Sequence, residues 1–355
     1  MKLAIVTCYK QPDYIRAQTL RDGAVAYHGI ELITIKNRHL GILRYPETII
    51  KVIAARIRHR PDAYLLTFRG YEILPFLAIL TWPKPLIYDE FINPLEWLQE
   101  PRDQRWAKFV PKAAFGWFYR QLLRRCKVIL ADTDVHADYS QKLSQASKAR
   151  YVSVPVSTSE ALFRPSKIRK PVSNKIFRVF YYGNMLPLHG LAYVLESADR
   201  LKHLPIEFML AGGNPKTQKA IQHAKDQGAH VSYIPWIDFK QLPKEIERSD
   251  LCLGGPYGGT IQANHVITGK TYQFLACQAP TVVGANKATN LFKDKQNCLL
   301  IPQQDAESLA TAIVWAYEHP KQLREIALRG RLLYETNFSQ KIVAKRLQAI
   351  LDSAV

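Results

Sequence analysis

Short apolar runs alternate with longer segments of helical period along most of the chain. KLAIVT at 2–7 reads as a buried strand, 13–26 as a helix and GIELITI at 29–35 as a second strand. A helix basic on one side follows at 45–59, then a strand at 63–67 and a helix at 72–80. A strand at 85–88 closes on Asp89-Glu90, and a long amphipathic helix occupies 105–125. The next strand, 127–131, runs into Asp132-Thr133-Asp134 and a helix from Val135. Strands this short and apolar, separated by helix-length segments, predict an α/β fold with a doubly wound parallel sheet.

The polar, proline-punctuated stretch 155–174 predicts a linker. After it the pattern restarts: strands at 177–182, 207–211, 231–234, 251–253, 281–283 and 298–301, with helices at 191–201, 239–248, 306–318 and from 320 to the end. At 355 residues the chain can build two cores. The domains expected are 1–165 and 166–335, with 336–355 as a C-terminal helix packing back towards the first.

Chemistry concentrates in 249–284. An apolar strand runs into Gly254-Gly255-Pro256 and Gly258-Gly259, followed by Gly269-Lys270-Thr271 and an apolar helical face. A glycine turn at the carboxyl end of a parallel strand lets backbone N–H groups and a helix N-terminus approach an anion. Lys270 beside it would add a point charge for a diphosphate, although glycines in a tight connection and a solvated lysine fit the same letters. Asp132-Thr133-Asp134 has the spacing of a shared divalent cation, but reads better as a strand end that caps the next helix. No metal is expected.

The run Val266-Ile267-Thr268-Gly269-Lys270-Thr271-Tyr272-Gln273-Phe274-Leu275-Ala276 to Thr281-Val282 resembles the donor-binding region of retaining glycosyltransferases of family 4. It is closest in form to a subgroup reading V-I-P-N-K-x-x-Q/E-x-L-A. Gly183-Asn184-Met185-Leu186-Pro187-Leu188-His189-Gly190 is similar to the first turn of the second domain in that subgroup. The stretches around Arg60-Pro61-Asp62, Asp89-Glu90-Phe91 and Ala131-Asp132-Thr133-Asp134 follow in the family's order.

The resemblance implies a GT-B architecture, two Rossmann-like parallel-sheet domains facing across a cleft. It implies a retaining, metal-independent sugar transfer from a nucleotide sugar, UDP- or GDP-linked, to a glycan or lipid-linked acceptor, with no cofactor. Gly183, Asn184, His189, Trp236, Thr268, Lys270 and Gln273 are the residues expected at the donor, and Asp89, with Glu90 beside it, near the reacting sugar. His265 and Gln273 stand where commoner relatives carry two glutamates. A non-catalytic nucleotide-sugar or assembly module, or an epimerase of the same fold, is therefore the alternative.

The charge of +19 adds one further expectation. Residues 1–170 hold 28 Lys+Arg against 15 Asp+Glu, a net +13, and the remainder holds 21 against 15. Such an excess suits an anionic membrane surface, and the helix at 105–125, with Trp117, Phe118, Arg120, Arg124 and Arg125, is the expected contact. No nucleic-acid module is present in the pattern. The five cysteines are scattered, with no C-x-x-C, which suits a reducing compartment, and no apolar run is long enough to span a bilayer. A cytoplasmic protein, peripheral at the inner face of the membrane, is expected.

Overall fold

The structure, a computed structural model, describes residues 1–26, 29–98, 111–145, 151–166 and 176–354. It forms two compact units, the first made of Met1–Ser157 with Gln340–Val355 and the second of Thr158–Ser339. The divisions thus fall at 157/158 and 339/340, a few residues from the expected 165/166 and 335/336.

In the first unit six parallel strands run β1 (Lys2–Thr7), β2 (Glu31–Lys36), β3 (Ala63–Thr67), β4 (Leu86–Asp89), β5 (Val128–Ala131) and β6 (Tyr151–Ser153). They are ordered β2-β1-β3-β4-β5-β6. β1, β3, β4 and β5 are apolar along their length because both faces are covered by helices. One face carries α2 (Arg44–Arg58), α3 (Leu74–Leu80) and α4 (Lys112–Arg125), packed in that order. The other carries α1 (Ile15–Val25) and α12 (Gln340–Ala354), whose Val343, Leu347, Ile350 and Leu351 join Leu3, Ile5, Leu65 and Leu130 in one core. The expected helix at 105–125 begins at Lys112 among the described residues; 105–110 lie outside them.

The second unit has strands β7 (Phe177–Gly183), β8 (Ile206–Gly212), β9 (Val231–Ile234), β10 (Leu251–Gly255), β11 (Thr281–Gly284) and β12 (Leu299–Ile301). All pairings are parallel and the order is β12-β11-β10-β7-β8-β9. The connection direction reverses between β7 and β10, and the carboxyl side of such a switch point is where open α/β sheets leave a crevice. α6 (Leu191–Arg200), α7 (Pro215–Asp226), α8 (Leu242–Glu247), α9 (Gly269–Ala276), α10 (Ala306–Glu318) and α11 (Pro320–Asn337) complete the unit. α7 and β6 were not anticipated. α7 nevertheless has an ordinary start: Asn214 Oδ1 accepts from the backbone N–H groups of Lys216 and Thr217 at 3.0 and 3.1 Å, and Pro215 takes the first helical position.

Candidate functional site

The switch point of the second unit is built from two loops pressed together. After β7 the chain turns at Gly183, with φ +146°, into a short 3₁₀ turn at Pro187–His189, and enters α6 through Gly190 at φ +69°. After β10 it runs through Gly254–Gly259 towards α9. A β-carbon on Gly190 would lie 2.6 Å from the Tyr257 carbonyl carbon, and one on Gly258 would lie 2.0 Å from the Pro187 oxygen. Only glycine permits that approach, which the Gly258 N–H completes by donating to Leu188 O at 3.0 Å.

Lys270 lies in the first turn of α9 and is buried, which carries its amine into this crevice. Nζ donates to Tyr182 O at 3.1 Å and stands 4.2 Å from the centroid of the Tyr181 ring. Among the described residues no carboxylate pairs with it. Burial pushes its pKa down to about 7. His189 is half-buried, and its Nδ1 is shielded from water with no hydrogen-bond partner. Burial first, and the Lys270 charge second, hold this imidazole well below its ordinary pKa, so it is neutral.

Gly183, His189 and Lys270 surround one point. A β-carbon on Gly183 would lie 3.3 and 3.4 Å from His189 Cε1 and Nδ1 and 3.5 Å from Lys270 Nζ. The first turn of α9 adds backbone N–H groups without a side-chain cap, because the Thr268 hydroxyl is turned away to Gly254 O at 2.6 Å. An amine, an imidazole and a helix N-terminus around a glycine cradle can hold a diphosphate.

The other expected donor residues are placed differently. Gln273 is buried and its Oε1 accepts the Tyr182 hydroxyl, so that oxygen faces the fold rather than a ribose. Asn184 is exposed beside Gly183, and Trp236, also exposed, follows β9 at the sheet edge, two strands from β7. Tyr181 and Tyr182, which supply the ring and carbonyl under Lys270, were missed in the sequence. Their signal was adjacency to Gly183. A cavity of about 550 Å³ lined by Arg164, Lys240, Lys244, Glu247 and Cys277 lies past the opposite end of α9 and contains none of these residues.

In the first unit the expectation for Asp89 and Glu90 needs correcting, because neither carboxylate faces a crevice. Asp89 is fully buried: Oδ1 accepts from Arg16 Nε and Nη2 at 2.9 and 2.7 Å, and Oδ2 accepts from the Phe68 N–H at 3.1 Å. Arg16, missed in the sequence, also donates to the carbonyls of Val154, Pro155 and Ala131. Glu90 is buried among the Tyr119 hydroxyl, the Tyr151 hydroxyl at 3.2 Å and Asn93 Nδ2 at 3.1 Å. Burial raises its pKa, with the Tyr119 bond opposing.

The Asp132-Thr133-Asp134 run caps α5 (Asp134–Ser144), with Thr133 Oγ1 accepting from the His136 N–H at 3.0 Å. Asp132 pairs with the buried His136 ring at 2.6 Å and Asp134 accepts from Ser153, so the two carboxylates are separately engaged.

Residues 176–319, most of the second unit, match the family model described as glycosyl transferases group 1. With the two six-stranded parallel sheets, this defines the class: the protein is a glycosyltransferase of GT-B fold. Solved structures with that fold include sucrose-phosphate synthase from Thermosynechococcus elongatus, at 13% identity and a TM-score of 0.78, covering 99% of this chain and 98% of that one. A glycosyltransferase from Rickettsia africae superposes at TM-score 0.71 with 12% identity, over 99% and 98%. Anabaena HepE in complex with UDP-glucose does so at 0.71 with 16% identity, over 99% and 100%. No functionally curated protein matches the chain.

Proposed function

We propose that the protein transfers a sugar, with retention and without a metal, from a UDP- or GDP-sugar to a glycan or lipid-linked acceptor. The donor's diphosphate lies against Gly183, His189, Lys270 and the first turn of α9. One observation carries the reading: a buried lysine with no carboxylate partner stands beside an imidazole nitrogen with no partner at all. Burying a cation costs free energy unless a counter-charge meets it, and a diphosphate is that counter-charge. The UDP-glucose complex of Anabaena HepE, a protein of the same fold, supports the donor class.

On this reading binding draws a proton onto Lys270, and its ammonium and the α9 N–H groups stabilise the charge that grows on the departing diphosphate. An Nδ1-protonated His189 donates to a phosphate oxygen. The first unit takes the acceptor, and rate comes from holding the two substrates in line. Asp89 and Glu90 support the fold at the carboxyl end of β4 and do not touch the sugar.

Calorimetry with UDP-glucose tests the donor site. Loss of one charge-assisted contact is worth about 1.5–3 kcal/mol, so Lys270→Met should bind roughly tenfold or more weakly. Equal affinity in a folded Lys270→Met protein removes this lysine from the site. Transfer should survive exhaustive EDTA treatment, because Asp132 and Asp134 are committed to His136 and Ser153; activity that needs added manganese contradicts this. Nucleotide release from UDP-sugars without acceptor would instead favour an epimerase.

A further inference from the structure

The first unit turns an apolar face to solvent. In α2 the residues packed on the sheet are Thr48, Val52 and Ala55. At 100° per residue, Ile50, Ile53 and Ile57 fall on the opposite side of the helix, with Ile49 on its flank. Ile50 and Ile57 are 65% and 69% exposed, so the bulkiest apolar residues of this helix face water while smaller ones fill the core. The neighbouring helices repeat the arrangement. Ile79 is 76% exposed on α3, with Phe76 beside it, and Trp117 and Phe118 are exposed on α4. Trp82, 64% exposed just past α3, lies where α3 meets the other two: Arg56 of α2 donates to its carbonyl at 2.7 Å, and the Arg125 guanidinium of α4 stands 4.9 Å from its ring centroid. Leu40, Ile42 and Leu43 extend the apolar surface to the loop that leaves the carboxyl end of β2.

Charge decides what this face meets. Residues 44–61, 73–88 and 111–127, which supply the three helices and their C-terminal ends, contain eleven Lys/Arg and one Asp/Glu, Glu47, which is already engaged by Lys51 and His39. A second copy of the chain would bring like charge against like. A nucleic acid would satisfy the cations and leave the outward isoleucines in water. Apolar side chains flanked by a large excess of cations, with the single acid paired to Lys51, match the boundary between anionic headgroups and acyl chains.

We infer that the α2–α3–α4 face docks on an anionic lipid surface, with Ile50, Ile53, Ile57, Ile79 and Trp82 entering the headgroup boundary. This enlarges the contact expected from the α4 segment alone, and it is independent of the donor site, which lies in the other unit. Because the surface reaches the carboxyl end of the first sheet, where open α/β sheets take ligands, a docked molecule would offer that end to a substrate held in the membrane.

Flotation of the full chain with vesicles tests the inference, using phosphatidylcholine alone or mixed with phosphatidylglycerol. The wild type should float with the mixed vesicles at low salt, much less with phosphatidylcholine alone, and less as salt shortens the screening length. Ile53→Glu/Ile57→Glu/Ile79→Glu should lower the partition by roughly tenfold or more. Arg58→Gln/Arg60→Gln/Arg124→Gln should lower it to a similar degree and flatten its salt dependence. Circular dichroism and UDP-glucose calorimetry check that each variant is folded. Wild-type protein that ignores mixed vesicles at low salt overturns the inference, as does a folded isoleucine variant that floats unchanged. A concentration-dependent dimer, abolished by the isoleucine variant and unaccompanied by flotation, assigns the face to a second copy and overturns it too.

Discussion

Two buried cations separate the units of this protein by purpose. Arg16, 0% exposed, is met by the Asp89 carboxylate and three carbonyls. Lys270, 6% exposed, has one carbonyl and one aromatic ring. Both sit on helices beside the carboxyl ends of parallel strands, so position alone does not distinguish them. The distinction is completeness. A guanidinium whose donors and counter-charge are supplied by the fold is a strut, whereas an ammonium with unused donors and no counter-ion is left able to take an anion, as proposed above for the donor.

The contrast breaks most severely at the strut. Arg16→Met leaves Asp89 buried without its partner, which costs about 3–5 kcal/mol, and should unfold the protein at much lower urea. In the surviving folded fraction UDP-glucose affinity should be unchanged. Wild-type urea stability in this variant would mean that the pair does not hold the unit together.

Lys270→Met should act in the opposite direction on the free protein. The folded pKa near 7 lies below the ordinary 10.5, so between those values the unfolded chain binds more protons than the folded one. Stability therefore rises with pH across that window, and the cost of burying the charge is fully present below about pH 7. A displacement of that size corresponds to on the order of 5 kcal/mol. Denaturation midpoints at pH 7 and pH 10 should show the substitution stabilising at the lower value and removing the pH slope. A Lys270→Met protein less stable than wild type at pH 7 would make the lysine a structural group after all.

The smallest expected effect belongs to His189. The ring is neutral and offers one hydrogen bond, worth about 0.5–1.5 kcal/mol, so His189→Ala should weaken UDP-glucose binding roughly two- to tenfold. Calorimetry above pH 7 sharpens the comparison further. Affinity for UDP-glucose should fall as pH rises and Lys270 loses its proton, in wild type and in His189→Ala alike, but not in Lys270→Met.

The alternation of apolar and helical segments made both sheets readable, since parallel strands covered on two faces leave uninterrupted apolar runs. The close approach of the Gly183–Gly190 and Gly254–Gly259 loops was also readable, because backbone that must approach closely writes glycine into the sequence. Asp89 was misread for a physical reason. A strand-ending carboxylate looks the same whether it faces solvent or an arginine, and Arg16 lies 73 residues away. The outward isoleucines of α2 were hidden similarly: in IIKVIAARI both sides of the helix are apolar, and only the packing of Val52 and Ala55 shows which side is left over.

The return of α12 to α1 sets an order of events during synthesis. Every residue of the second unit is made before Val343, Leu347, Ile350 and Leu351 exist to fill the core beside Leu3 and Leu20. The first unit is therefore begun before the second and finished after it. Until α12 emerges from the ribosome, the nascent chain carries one unit that can close on its own and one with an open apolar seam along α1, the kind of surface that chaperones cover.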